Sequence, residues 1–99
     1  EGEPIPFLVA IHVVEHFLDP LASFAKIGAR MAEGGLVFLH TPNGAAAGDR
    51  KDWFHYWPEH PYIYSYHHIS GIMAQFGVVG IGVDFVNNGD DMWFWGRKL

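Results

Sequence analysis

An α/β domain is the fold class this sequence predicts, and three observations predict it. Two short apolar runs, Phe7 to Ile11 and Leu36 to Leu39, flank one helical stripe, which is the order of a strand-helix-strand unit with a parallel pair. A second stripe follows at Ile69, Ile72, Met73 and Phe76, spaced i, i+3, i+4, i+7 as one face of a helix. An Asn88-Gly89 pair then separates two further strand-like runs, the strongest short-range signal for an antiparallel hairpin.

Each element has a local reason. Pro4 and Pro6 hold the first residues extended, so the first strand is expected over about Ile5 to Ile11. Its run carries no charge and does not alternate, which predicts a central parallel strand buried on both faces. At its carboxyl end stand His12, Glu15 and His16, where open α/β sheets keep their ligands. Asp19-Pro20 starts a helix, the carboxylate capping orphan N–H groups and the proline fitting the first turn. Leu21, Phe24, Ile27, Gly28 and Met31 form its apolar stripe, predicting a helix over Pro20 to Ala32 that Gly34-Gly35 ends, one glycine taking the left-handed conformation. The second strand, Leu36 to Leu39, runs into a polar turn, His40-Thr41-Pro42-Asn43, on the same sheet edge as His12.

From Gly44 to Tyr64 periodicity disappears, and a small Gly-Ala segment gives way to Trp53, Phe54, Tyr56, Trp57 and Tyr62. Residues 44–64 therefore read as an aromatic insert or lid within a single domain, since long irregular connections in compact domains are usually functional. Ser65 caps the second helix and Gly77 stops it. Val78 to Phe85 and Met92 to Lys98 are the hairpin strands, with Gly80 and Gly82 assigned to close packing and Asp90-Asp91 to a solvated hairpin, a metal role being the lesser alternative.

The totals narrow the function classes. With 99 residues the chain is at most one small domain, and its 16% aromatic content makes burial possible. A formal charge of −5 leaves no basic stripe to displace counterions, so no nucleic-acid partner is expected. There are no cysteines, which removes disulfides and thiolate metal sites. No apolar stretch reaches the ~20 residues of a membrane span, so no membrane partner and a cytoplasmic location are expected. The chain opens Glu1-Gly2-Glu3, and a partial domain is the expectation.

The joint order of these motifs resembles the carboxyl-terminal half of a class I S-adenosylmethionine-dependent methyltransferase. That family has a buried strand running into a turn of the form E-V-L-E-H and an acidic-Pro helix start, here His12-Val13-Val14-Glu15-His16 and Asp19-Pro20. A P-G-G-like turn matches Glu33-Gly34-Gly35, and a T-P-N strand end matches Thr41-Pro42-Asn43. Trp57, His60, Tyr64-Ser65 and Phe76-Gly77 stand in comparable later places, and Arg97-Lys98 closes the last strand. The resemblance implies a partial Rossmann-like sheet contributing strands 4-5-7-6 of a larger order. The family's glycine-rich cofactor loop and ribose-holding acid have no counterpart here, which implies that the isolated chain is inactive and that its first strand lacks a neighbour. That edge would pair with another chain, for example in a homodimer, or aggregate.

By the same resemblance the activity is methyl transfer from S-adenosylmethionine to a small-molecule acceptor. Ile11, His12 and Val13 would form the cofactor-side wall, His16 an acid/base group, and Trp57, His60 and Tyr64 the acceptor side. A non-catalytic module associating through the edge strand is the alternative. Two metal readings attach to His12, Glu15 and His16. Their H-x-x-E-H spacing marks an inverted zinc hydrolase when helical, but the preceding run reads as strand. Ubiquinone-type O-methyltransferases resemble this turn and hold Mg²⁺ with two Glu and one His; His12 in place of a Glu shifts the preference towards Zn²⁺ or Ni²⁺.

Overall fold

The computed structural model describes residues 2–46 and 64–99. Strand β1 (Ile5–Ile11) leads through a short 3₁₀ turn (Val14–His16) into helix α1 (Pro20–Arg30), then β2 (Met31–Pro42) and a second 3₁₀ turn (Gly44–Ala46). Helix α2 (Tyr66–Gln75), β3 (Val78–Val86) and β4 (Asp91–Lys98) complete the order. The sheet order is β1-β2-β4-β3, with β1 parallel to β2 and β4 antiparallel to both its neighbours. This is the partial 4-5-7-6 sheet with a terminal hairpin implied by the resemblance. Neither helix among the described residues is long and apolar enough to cross a membrane.

Local chemistry accounts for the element ends. Asp19 Oδ1 accepts from the Ala22 N–H at 3.3 Å ahead of Pro20, and Ser65 Oγ accepts from the His68 N–H at 3.3 Å; such caps each contribute about 1 kcal/mol. The Lys98 ammonium donates to the Gly28 carbonyl at 2.6 Å, serving the carbonyl-rich last turn of α1. Asn87, Asn88 and Gly89 all take positive φ in the β3–β4 connection, a backbone that Asn and Gly tolerate best.

α1 and α2 cover one face of the sheet. Phe24, Ile69 and Met73 from the helices and Val37, Leu39, Val78, Met92 and Phe94 from the strands form one fully buried core. Gly28 lets α1 approach α2 at close range, since a Cβ there would stand 2.8 Å from Phe76 Cβ and closer still to the Phe76 carbonyl oxygen.

Two expectations are corrected. α1 ends at Arg30, two residues before Ala32, because Met31 is already extended and paired with Ile5. Gly34 does take the left-handed conformation, with φ 77°, but inside a register shift of β2, where Ile5 faces Met31 and Phe7 faces Leu36. The shift absorbs extra residues on one strand, as a bulge does. Secondly, β1 is not buried on both faces. It is the end strand of the sheet, and Phe7, Val9 and Ile11 are 58%, 49% and 56% exposed.

Candidate functional site

The carboxyl end of β1, the end of β2 and the start of β4 meet at one rim of the sheet. His12 has φ 55°, an uncommon conformation for a residue with a Cβ. Its N–H nevertheless donates to the His40 carbonyl at 2.7 Å, which ties the turn to β2. The chain then coils once, so that Val14 and Glu15 are buried and His16 is left half-exposed.

Glu15 is completely excluded from solvent, and a buried carboxylate is tolerated only with partners. Thr41 Oγ1 donates to Glu15 Oε1 at 2.9 Å, and His12 Nδ1 lies 3.0 Å from Glu15 Oε2. An ionised carboxylate only accepts, so the proton of that bond belongs to His12 Nδ1, which in the neutral ring puts the lone pair on Nε2. His12 Nε2 in turn lies 4.0 Å from Asp91 Oδ1. The His12 and His40 ring centroids are 4.8 Å apart, and the Trp93 ring meets His40 edge-on at 4.8 Å.

Burial and the neighbouring His12 hold the His40 imidazole below its ordinary value of 6.5, against the opposing pull of Asp91 and Glu15. His40 Nδ1 is buried and has no hydrogen-bond partner among the described residues. His12, His40 and Asp91 can each bring one ligand atom within 4.8 Å of the others.

Ile11 and Val13 flank His12 as exposed apolar side chains, 56% and 44% exposed. The edge therefore presents an apolar, accessible wall beside the histidine pair. His16 approaches the same carboxylate oxygen from farther away, its Nε2 3.9 Å from Glu15 Oε2. Tyr64 lies in the core at 5% exposure, its ring against Phe24 and its hydroxyl donating to the Val14 carbonyl at 3.4 Å. It thus braces the Glu15 turn from behind. Trp57, His60 and most of the 44–64 insert lie outside the described residues. Asn43 serves its own turn, Oδ1 accepting from the Ala45 N–H and Nδ2 donating to the Gly89 carbonyl.

Asp91 corrects the expectation of a solvated turn, being only 4% exposed and receiving the Asn87 amide. Its place follows from register, since β4 returns antiparallel to β2 and sets Asp91 opposite Pro42. Thr41 belongs to the T-P-N strand end, but its bond to Glu15 is not legible in any motif, because only the pairing of β2 with β1 brings it beside the turn.

A family model described as a methyltransferase domain matches residues 1–81. Among solved structures, the complex between the Trm112 methyltransferase activator and a methyltransferase from Haloferax volcanii matches with TM-score 0.80 and 8% identity, covering 97% of this chain and 55% of that one. A SAM-dependent methyltransferase from Thermotoga maritima matches with TM-score 0.72 and 12% identity, covering 98% and 57%. N-methyltransferase NodS from Bradyrhizobium japonicum WM9 matches with TM-score 0.67 and 12% identity, covering 99% and 53%, and it has also been solved with S-adenosyl-L-homocysteine. This chain spans about half the length of these structures. No curated protein matches the sequence.

Proposed function

Because the chain belongs to the methyltransferase-domain family, we propose that it forms the carboxyl-terminal half of a methyltransferase that moves a methyl group from S-adenosylmethionine to a small-molecule acceptor. The observation that carries this reading is the sheet itself. Its β1-β2-β4-β3 order, with one parallel and two antiparallel pairings, delivers a polar cluster beside an open apolar wall at one edge. Fold alone does not give function, so the chemistry of that edge has to agree.

It agrees in kind. Ile11 and Val13 offer exposed apolar surface of the sort that packs on a purine or thioether, and the left-handed His12 turns the backbone away between them. The cofactor supplies an electrophilic methyl group on sulfur. An acceptor that is already nucleophilic then needs mainly in-line placement, and His16 is the accessible imidazole that can take a proton from an acceptor hydroxyl or amine. Trp57 and His60 are assigned to the acceptor side by their place in the aromatic insert.

The test is calorimetric titration of S-adenosylmethionine into the full chain joined to the rest of its domain. Binding is expected, and Ile11→Asp is expected to weaken it on the order of 10-fold or more by setting a carboxylate on the apolar wall. Absence of binding, or an unchanged affinity in Ile11→Asp, overturns the assignment. A second reading rests on β1, whose outer edge has no strand beside it among the described residues and whose Phe7, Val9 and Ile11 are about half exposed. Such an edge is a template for another strand, from the remainder of the domain or from a second copy.

A further inference from the structure

We propose that His12, His40 and Asp91 form a site for a divalent transition-metal ion, with Glu15 standing behind His12 as its orienting carboxylate. The H-x-x-E-H spacing points to His12, Glu15 and His16, but the fold separates their roles. Glu15 has both oxygens engaged, one by Thr41 and one by His12. His16 faces the same oxygen as His12 from farther away, 3.9 Å against 3.0 Å, and is not among the residues whose ligand atoms converge.

The set that converges comes instead from three strand ends. His12 contributes Nε2, because Nδ1–H is spent on Glu15. His40 contributes the buried Nδ1, which has no hydrogen-bond partner among the described residues. Asp91 contributes Oδ1, 4.0 Å from His12 Nε2. Ligand atoms about 2.1 Å from one ion in a tetrahedral shell stand roughly 3.4 Å apart. One ligand atom from each of the three residues already lies within 4.8 Å of the others, so small side-chain rotations close the site.

Two further features belong to metal sites. A ligating histidine usually gives its other N–H to a carboxylate, which fixes the ring and raises its basicity; Glu15 does this for His12 from full burial. His12 also keeps a left-handed backbone, and strain of that kind is held where a side chain has to point in a particular direction. Two imidazoles and one carboxylate favour Zn²⁺, Co²⁺ or Ni²⁺ over Mg²⁺, which prefers an all-oxygen shell and retains its waters. Three protein ligands leave coordination open for a water or a ligand atom.

The experiment titrates the full chain with Zn²⁺, Co²⁺ and Mg²⁺ and records the visible spectrum with Co²⁺. One tight Zn²⁺ or Co²⁺ equivalent is expected, with the absorption of a four- or five-coordinate cobalt ion, and Mg²⁺ weaker on the order of 100-fold or more. His40→Gln and Asp91→Asn should each weaken Zn²⁺ on the order of 100-fold, and Glu15→Gln by about 10–100-fold. His16→Gln should leave the affinity unchanged. Loss of binding in His16→Gln with retention in His40→Gln moves the ion to the H-x-x-E-H set and overturns the proposal, as does an unsubstituted chain that binds none of the ions or prefers Mg²⁺. Circular dichroism checks each variant's fold; should His40→Gln unfold, Asp91→Asn and the cobalt spectrum of the unsubstituted chain decide.

Discussion

On the face of the sheet under α1 and α2, Val37, Leu39, Met92 and Phe94 are fully excluded from solvent. On the opposite face, Phe7 meets Phe38 edge-on at 5.4 Å, Phe38 stacks on Trp95 at 6.1 Å, and Val9 and Ile11 remain about half exposed. Both faces are apolar. What differs is the cover, because the helices that follow β1 and precede β3 both pack on the same side. Apolar residues alternating to both sides of a strand state that both faces tolerate burial, and they do not state which segment supplies it. The His12, His40 and Asp91 cluster stands at the rim of the less covered face, where β2 and β4 also present His40 and Trp93 side by side.

The covered face is where a substitution costs most. Phe94→Ala removes a fully buried ring that packs with Tyr66 and lies beneath α2. A loss of about 3–5 kcal/mol is expected from lost burial and the cavity left behind, which urea unfolding measures. Gly28→Ala should cost less. Alanine gains about 1 kcal/mol of helix propensity over glycine, but its Cβ meets the Phe76 carbonyl oxygen and Cβ. Backbone cannot swing aside as a side-chain tip can, so overpacking at about 1–3 kcal/mol is the larger effect and a net loss is expected. A Gly28→Ala protein more stable than the parent would show that α1 and α2 are free to separate.

The covered face was also the more legible in sequence. Local signals placed its helices, since Asp19-Pro20 and Ser65 are caps with a mechanism and the stripe through Phe24 and through Ile69 and Met73 names the buried side. The Asn88-Gly89 turn likewise gave the hairpin. What escaped was set by pairing between distant segments. The burial of Asp91 depends on the register that puts it opposite Pro42, and Thr41 reaches Glu15 across 26 residues of chain. His12 and Glu15 are visible as a motif three residues apart, and His40 falls on the same sheet edge, whereas Asp91, whose Oδ1 lies 4.0 Å from His12 Nε2, shares no spacing with them. The end of α1 is set in the same way, because Met31 is drawn out of helix by its pairing with Ile5.

The smallest effect belongs to the open face. Val9→Thr exchanges one β-branched side chain for another of similar shape, so strand propensity is nearly kept, and the new hydroxyl lands where the side chain is half exposed. A hydroxyl that keeps contact with water escapes the desolvation cost of a buried one, so a change within about 0.5 kcal/mol is expected for this chain at low concentration. Repeating the urea measurement at rising protein concentration separates two situations that look alike at one concentration. A cost that stays small throughout means the open face is a solvent surface of this chain. A cost that grows with concentration means the folded chain gains stability from association that buries Val9, since only binding to the native state makes stability depend on concentration. A large cost already at the lowest concentration would mean that the face is covered within the chain itself, and the contrast between the two faces would then fail.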